Sequence, residues 1–283
     1  MQFGAFMFFT DYSMSPAALG QALEARGFES LWAPEHSHIP VSRKTPFPGG
    51  GDLPKCYYDC MDPFVTLTAA AAATRTLKIA TGVCLINQRD PIQTAKLVAS
   101  LDQISAGRFL FGIGVGWNEE EMNNHGTALA TRAKLSRERI EAMKEIWTKS
   151  KAEYHGEFVN FDPIMAWPKP VQKPHPPIHV GGAFPQGARR ALRYGDGWIP
   201  VTGRAKIDVA NLMERFKQMA AEAGRDPAEV PLSFFGAPED DDTLKRYRDL
   251  GIARVVVALD SESEDTILPV LDRWADIMRQ VNG

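Results

Sequence analysis

The sequence predicts a single α/β domain that spans residues 1–283 and folds as a closed (β/α)8 barrel, the TIM-barrel architecture. Short apolar runs alternate with longer helical patterns eight times along the chain. The length of 283 residues suits such a barrel, which typically uses about 250 residues in one domain. No segment rich in Pro and Ser separates two halves, and an open doubly wound sheet usually has fewer strands. We therefore expect eight parallel strands surrounded by eight helices.

The strand candidates are mostly continuous apolar runs, which are typical of parallel strands buried on both faces. They cover residues 3–9, 30–35, 78–85, 108–115, 178–181, 197–201, 232–236 and 254–259. The helical patterns between them cover residues 16–26, 63–74, 91–105, 132–149, 185–194, 207–223, 243–250 and 264–281. Several of these patterns begin with Pro and end at Gly, which is the expected punctuation of helices.

Two segments are longer than the usual connection in a compact barrel. Residues 36–62 follow the second strand and are rich in Pro, Gly and Tyr. Because they leave the carboxyl end of a strand, where barrel enzymes carry their active sites, we interpret this insertion as a lid. Residues 153–177 precede the fifth strand and begin with a pattern that predicts a β-hairpin. They enter the opposite end of the barrel, so we expect them to be structural.

The composition excludes several classes of function. With 32 basic and 35 acidic side chains, the net charge of −3 gives no general attraction to nucleic acid or to an anionic membrane. No apolar stretch approaches the ~18 residues needed to cross a bilayer. The three cysteines form no CxxC pair, and no basic region precedes the apolar N-terminus, so neither a disulfide framework nor a signal peptide is indicated. We expect a cytoplasmic protein that acts on a small molecule.

Chemistry in a (β/α)8 barrel takes place where the strands end. The residues at these positions are Glu35 and His36 at the end of strand two, Gly82, Val83 and Cys84 at the end of strand three, Trp117 after strand four, Gly181 and Gly182 at the end of strand five, and Thr202, Gly203 and Arg204 after strand six. His36 is the candidate catalytic residue, because an imidazole can give or take a proton near neutral pH.

The glycines after strand five precede a helix, so their amides are placed to bind a phosphate. The hydroxyl, bare backbone and guanidinium at residues 202–204 suit the same dianion. The alternative for the two glycines is a tight turn, and the alternative for Arg204 is a solvated surface charge.

Four segments resemble the luciferase-like superfamily, specifically its branch of oxidoreductases that use the deazaflavin coenzyme F420. They are WAPEH at residues 32–36, TGVCLINQRDPIQTAKLVASLDQISAGRF at 81–109, GIGVGWNEEE at 112–121 and IHVGGAFPQGARRALRYGDGWIP at 178–200. The most specific parts are LDQISAGRF and the stretch from the glycine pair to GDGWIP. The resemblance implies a (β/α)8 barrel that binds a flavin-like ring at the carboxyl ends of its strands and transfers a hydride.

The resemblance also implies roles for individual residues. It places His36 beside the reactive face of the ring, with Glu35 either orienting it or packing below it. Gly82 and Val83 occupy a position where the superfamily often has a non-prolyl cis peptide that backs the ring, and Cys84 lies near it. The phosphate site lies between the loops that carry residues 181–182 and 202–204. Where some members have an acid, this chain has Trp117, which offers a stacking face rather than a proton.

Three alternatives to F420-dependent hydride transfer stay open at this point. An FMN-dependent monooxygenase would place the ring and the phosphate in the same way. A metal-dependent barrel hydrolase would use His36 and His38, whose side chains point the same way on an extended chain, together with His179 and Asp260. A silent deazaflavin carrier would bind the coenzyme and turn over no substrate. The HxH pair of such hydrolases usually follows the first strand, and His179 lies before the end of its strand, so we expect no metal site.

The helix predicted at residues 63–74 carries a run of alanines. Such small-residue faces allow close packing of a second copy of the chain, and we predict a homodimer. The alternative is that the alanine face packs within the chain, against strands two and three.

Overall fold

The computed structural model describes residues 1–201 and 208–283. Within those residues, eight parallel strands form one barrel with helices on its outside. The strands are β1 (Gln2–Phe6), β2 (Ser30–Ala33), β3 (Lys78–Thr81), β4 (Phe109–Gly114), β5 (Ile178–Gly182), β6 (Gly197–Pro200), β7 (Ser233–Phe235) and β8 (Arg254–Ala258). The predicted (β/α)8 fold is confirmed.

Neighbouring strands pair around the barrel in the order β7-β8-β1-β2-β3-β4-β5-β6. The ring closes between β6 and β7 through a parallel bridge between Trp198 and Leu232. The backbone N–H of Trp198 also donates to the carbonyl oxygen of Pro231 at 3.0 Å. Because all eight strands run in the same direction, their carboxyl ends meet at one end of the barrel.

Eight outer helices follow the barrel strands in the described ranges. They are α1 (Pro16–Ala25), α2 (Pro63–Ala73), α3 (Pro91–Ile104), α4 (Arg132–Thr148), α5 (Gln186–Tyr194), α6 (Val209–Glu222), α7 (Asp241–Asp249) and α8 (Glu264–Asn282). The first three begin with Pro, and the side chains of Ser15, Asp62 and Asp90 accept hydrogen bonds from their first-turn amides. Pro has no amide hydrogen to leave unpaired at this position, so these starts were readable from the sequence.

The third predicted strand, residues 78–85, is interrupted. It ends at Thr81, the Gly82–Val83 peptide is cis as the resemblance implied, and Cys84–Leu85 pairs again with β4. The first predicted strand, residues 3–9, likewise ends at Phe6 although Met7 and Phe9 are buried. An apolar run indicates that its residues are buried. Burial continues beyond the last hydrogen bond between neighbouring strands, so the run could not show where either of these two strands ends.

The barrel interior contains one large side chain that needs glycine beside it. Trp32 on β2 is fully buried, and its indole N–H donates to the Ser30 hydroxyl at 2.8 Å. A Cβ at position 4 would lie 2.9 Å from Trp32 Nε1, and a Cβ at position 112 would lie 1.9 Å from the Thr81 carbonyl oxygen. Gly4 therefore leaves space for the indole of Trp32, and Gly112 allows β4 to approach β3 closely.

The predicted hairpin is present as the antiparallel strands Ala152–His155 and Asn160–Ile164. Its turn is fixed to α4 by Glu138, whose Oε2 accepts the amides of Phe158 at 2.7 Å and Val159 at 3.2 Å. The hairpin thus braces the outside of the barrel, as expected for a structural segment.

Part of the alanine run in α2 packs within the chain. Ala70 and Ala71 are buried, and a Cβ at Gly20 of α1 would lie 3.4 Å from the Ala70 side chain. The partner of this face is therefore α1 rather than a second copy, while Val65 on the same helix is 70% exposed. The homodimer stays a prediction. No helix in the described ranges is long and apolar enough to span a membrane.

Candidate active site

The strand-end residues singled out in the sequence lie at the carboxyl end of the barrel. Glu35 and His36 follow β2, the Gly82–Val83 peptide follows β3, Trp117 follows β4, and Gly181 and Gly182 end β5. Thr202, Gly203 and Arg204 lie outside the described residues.

His36 lies in a buried hydrogen-bonded cluster. Its Nδ1 is 2.9 Å from Glu121 Oε2, and the indole N–H of Trp117 donates to its Nε2 at 3.3 Å. His36 is 9% exposed, and Glu121 has no exposed surface. One face of the imidazole also lies near Tyr57, with the ring centres 5.4 Å apart.

These two contacts select one tautomer of His36. The indole N–H has no acceptor capacity, so Nε2 must present its lone pair to Trp117. The proton of the neutral ring is then on Nδ1, where it is donated to the Glu121 carboxylate. At 3.3 Å the bond to Trp117 is long, so a substrate group can replace it at little cost. His36 Nε2 is therefore a proton acceptor in this arrangement.

Glu121 was not singled out from the sequence, although it is the last residue of the GIGVGWNEEE segment. The carboxylate is delivered by a short helix, Glu119–Asn124, that is capped by Asn118, whose side chain accepts the amide of Glu121 at 3.2 Å. Only one of three successive acids can face inward on one turn of helix. The buried Met122 beside Glu121 was the one signal in the sequence that indicated which acid does so.

Glu35 does not orient His36, contrary to one of the roles considered for it. Its Oε2 accepts the Leu85 amide at 2.6 Å, and its Oε1 accepts from Arg89 Nε at 2.5 Å. Arg89 also donates to Asp62 at the start of α2 at 2.5 Å. The buried carboxylate therefore fixes the chain that follows β3, including Gly82 and Val83, to the end of β2.

The ends of β3, β4 and β5 form a floor that lacks bulky side chains. A Cβ at Gly114 would lie 2.6 Å from the Val83 side chain, and a Cβ at Gly181 would lie 3.3 Å from it. The Val83 side chain occupies the space beside both glycines. Gly82, Val83 and Trp117 are all partly exposed. Small, partly exposed groups that form a flat surface are suited to contact with a planar cofactor ring.

The loop after β5 is held tightly against its own helix. The Gly182 carbonyl oxygen accepts the indole N–H of Trp198 at 3.0 Å, and a Cβ at Gly182 would lie 2.4 Å from Arg190 Nη2. Gly182 has a φ of 151°, a conformation that favours glycine. The bare backbone thus brings a guanidinium next to the predicted phosphate-binding amides.

The cysteines show no sign of reactivity. Cys84 is fully buried beside Glu35, and burial raises the pKa of its thiol well above the ordinary value. Its side chain has no surface to offer a ligand, so contact with a cofactor would have to go through its backbone. Burial also raises the pKa of Cys60 to about 11, and this thiol donates to the His36 carbonyl oxygen at 3.4 Å. Both thiols stay protonated at neutral pH.

The 36–62 loop covers the site with aromatic side chains. Phe47 lies against Tyr57, with ring centres 5.1 Å apart, and against Trp117 at 5.9 Å; Tyr57 also lies 4.5 Å from Phe8. Two of these rings, Tyr57 and Trp117, lie against His36. The surface around His36 Nε2, the proton acceptor, is therefore largely apolar.

The donors considered for a metal-dependent hydrolase are not brought together. His179 is fully buried inside the barrel against Trp32, at 5.7 Å between ring centres. His38 instead contacts Asn124 at 2.9 Å. In residues 1–201 and 208–283, no group of three or more His, Cys, Asp and Glu side chains is arranged to hold a metal ion.

Known proteins resemble this chain in sequence and in fold. The family model for luciferase-like monooxygenases matches residues 1–253. An uncharacterised protein of Mycobacterium tuberculosis is 39% identical over 281 residues, which cover 97% of this chain and 98% of that protein. An F420-dependent hydroxymycolic acid dehydrogenase of the same organism is 30% identical over 238 residues, or 82% of this chain and 61% of that protein.

Solved structures match the whole barrel, and one of them is an F420-dependent secondary alcohol dehydrogenase in complex with an F420-acetone adduct, with a TM-score of 0.76 and 20% identity. The match covers 100% of this chain and 99% of the other. At this identity, the match shows a shared fold.

Proposed function

The chain belongs to the luciferase-like monooxygenase family, whose members are oxidoreductases, and from that premise we propose that it transfers a hydride between coenzyme F420 and a small organic substrate. One relative that is 30% identical and one structural neighbour that spans the whole chain are F420-dependent by name. These two likenesses support the choice of F420 as the cofactor.

The observation that carries the proposal is the state of His36. When bound, F420 supplies a position that takes up or releases a hydride, and the substrate must then lose or gain a proton at a second atom. His36 Nε2 presents a lone pair at the carboxyl end of the barrel, while Glu121 Oε2, 2.9 Å from Nδ1, stabilises the charge that the ring gains with a proton. A base paired with a buried carboxylate suits proton transfer at neutral pH.

The residues at the strand ends fit a flat cofactor with a phosphate. Gly82, Val83 and Trp117 would hold the ring, since the floor beneath it is formed by glycines into which Val83 packs. Gly181 and Gly182 would hold the phosphate at the start of α5. Cys84 would contribute only backbone, and Glu35 would act by fixing the loop. Thr202, Gly203 and Arg204 belong to the same proposal from the sequence.

The aromatic mouth suggests the class of substrate. Tyr57 and Trp117 lie against the proton acceptor, Phe47 packs on both of them, and His36 itself is only 9% exposed. An apolar secondary alcohol or the corresponding ketone meets both requirements, because its hydroxyl proton can pass to His36 Nε2 while its carbon skeleton packs on the rings.

Titration of the purified protein with F420 and with FMN tests the proposal. We expect quenching of deazaflavin fluorescence with a dissociation constant at least tenfold below that for FMN, followed by alcohol-dependent loss of absorbance of the oxidised coenzyme. Tight FMN binding with no F420 binding would overturn the proposal. Oxygen consumption with reduced FMN would then support the monooxygenase alternative, which the name of the family model favours.

A further inference from the structure

A cavity of about 400 Å³ lies on the outside of the barrel between α4 and α5. We call it the α4–α5 cavity. Its walls include Lys134 and Arg137 from α4 and Arg189, Arg190, Arg193 and Tyr194 from α5. Five of these six side chains are cationic, although the whole chain is slightly acidic. A concave surface of one charge sign concentrates ligands of the opposite sign.

The two cations from α4 already have carboxylate partners. Lys134 forms a salt bridge with Glu157 of the hairpin. Arg137 Nε lies 3.5 Å from Glu141 Oε1, one helical turn further along α4. The α4 wall is therefore close to neutral, and the excess positive charge comes from α5.

The three arginines of α5 form no salt bridge within the part of the chain that the structure describes. Arg189 donates to the amide oxygen of Gln186 at 3.4 Å, a long and uncharged contact. Arg190 is partly buried, and burial lowers the pKa of its guanidinium. Charged groups that are partly buried are normally paired. An anion in the cavity would supply the missing partner.

Three buried polar atoms of the lining residues also lack hydrogen-bond partners in the described residues. They are the Tyr194 hydroxyl, Arg190 Nε and Arg137 Nε, of which the last has only its long ion pair with Glu141. Tyr194 is 7% exposed, and burial raises its pKa to about 12, so the hydroxyl keeps its proton and can donate it. Buried donors without partners are uncommon in native proteins and often mark a bound ligand or water.

The α4–α5 cavity begins beside the phosphate-binding loop proposed above. Arg190 Nη2 lies so close to Gly182 that a Cβ there would be 2.4 Å away. A cofactor whose phosphate is held by Gly181 and Gly182 would therefore direct whatever follows the phosphate toward the arginines of α5.

A second cavity of about 620 Å³ lies on the other side of Arg189 and Arg193. Its lining contains the carboxylate of Glu222 and also Arg225, which lies 3.8 Å from Glu229. It therefore has carboxylates of its own. An anionic ligand is better matched by the α4–α5 cavity.

We propose that the α4–α5 cavity binds the acidic chain of coenzyme F420, the run of γ-linked glutamates that extends beyond its phosphate. This inference rests on the proposed function. The guanidinium groups of Arg189 and Arg193 pair with successive carboxylates, and the Tyr194 hydroxyl and Arg190 Nε donate to the same chain. FMN has no such chain. The α4–α5 cavity therefore favours the binding of F420 over that of FMN without contacting the ring.

The test compares three forms of F420, with no glutamate, a short chain and a long chain, on the wild type and on two variants. The double variant Arg189→Gln/Arg193→Gln removes two exposed cations from the cavity. Arg273→Gln on α8 removes an exposed cation elsewhere and serves as the matched control. Dissociation constants are measured by fluorescence quenching, at low and at high salt.

We expect the wild type and Arg273→Gln to bind the long-chain form about tenfold more tightly than the form without glutamate, as several charge-assisted contacts imply. The double variant should lose this preference and keep its affinity for the form without glutamate. High salt should reduce this preference. Equal affinity of the wild type for all three forms would overturn the inference and leave the proposed function intact. Failure of every form to bind would overturn both.

Discussion

The proton chemistry of His36 depends on two residues that lie far from it in the sequence. Glu121 holds the Nδ1 proton, and Trp117 donates to Nε2. A protonated ring would place two N–H groups face to face at Nε2, whereas the carboxylate at Nδ1 stabilises the cation. Glu121 therefore favours the protonated ring and Trp117 disfavours it. Together they allow His36 both to accept a proton and to release it.

Substitution of His36 by Ala should reduce turnover at saturating substrate by about 10²–10⁴-fold, the usual contribution of a positioned general base. Affinity for the coenzyme should change little, because its proposed contacts lie on β3, β4 and β5. Steady-state kinetics with coenzyme titration measures both quantities. His38→Ala is the matched control, since that histidine contacts Ser37 and Asn124 instead. An undiminished rate in His36→Ala would remove the residue from the mechanism.

Glu121→Gln tests the carboxylate as a positioning residue. The amide oxygen can still accept the Nδ1 proton, but the negative charge that stabilises the protonated ring is lost. For oxidation of an alcohol, we therefore expect kcat to fall while KM for the alcohol changes little. The measurement is steady-state kinetics at one pH, with Glu119→Gln as the control. An unchanged kcat would show that the charge of Glu121 has no part in proton transfer.

At the scale of elements, the 36–62 loop is tied to the short helix that also delivers Glu121. Glu120 accepts the amides of Lys44 at 2.8 Å and Thr45 at 3.0 Å and the hydroxyl of Ser42. These hydrogen bonds lower the pKa of Glu120. One short helix therefore carries both Glu121, the partner of the proposed base His36, and Glu120, the anchor of the 36–62 loop.

Replacement of Glu120 by Ala should loosen the 36–62 loop. The loop contains Arg43 and Lys44 next to the anchor, so we expect trypsin to cleave there several-fold faster, and KM for the organic substrate to rise. Glu119→Ala is the control, because Glu119 meets the loop through its backbone N–H to the Thr45 hydroxyl at 3.2 Å. Equal cleavage rates in the two variants would show that Glu120 does not hold the loop.

At the scale of the whole molecule, the barrel interior contains a histidine that stays neutral. His179 on β5 is fully buried, and burial lowers its pKa to about 3. The unfolded chain has an ordinary histidine pKa near ~6.5. Between these two values the unfolded state binds a proton that the folded state does not, so the free energy of unfolding decreases as the pH falls.

Urea unfolding between pH 6.5 and 5 should show this contribution as a slope of about 1.4 kcal/mol per pH unit at the lower end. His179→Asn should reduce the slope, because the replacement does not titrate. The exposed His155 provides the control variant His155→Asn, which should leave the slope unchanged. The carboxylates of Glu24 and Glu29, with pKa values lowered to about 2, act mainly below this window. The same slope in all three proteins would contradict the assignment.

The sequence by itself determined the order of elements and the end of the barrel where the chemistry lies. Burial on both faces produces continuous apolar runs, and the Pro and Asp residues at helix starts act locally, so both are visible in a short window of sequence. Parallel strands then place His36, Gly82, Trp117 and Gly181 at the same end. The family resemblance added the expectation of a cis peptide at Gly82–Val83.

Only the tertiary structure decided which groups meet. Glu121 rather than Glu35 pairs with His36, because the short helix after β4 turns one of three acids inward and because Arg89 and the Leu85 amide already occupy Glu35. Likewise, the arginines of α5 are ordinary surface residues in the sequence and become one wall of a cavity only where α5 lies beside α4. Contacts between distant segments depend on how the elements pack, and a periodic pattern of apolar residues contains no information about these contacts.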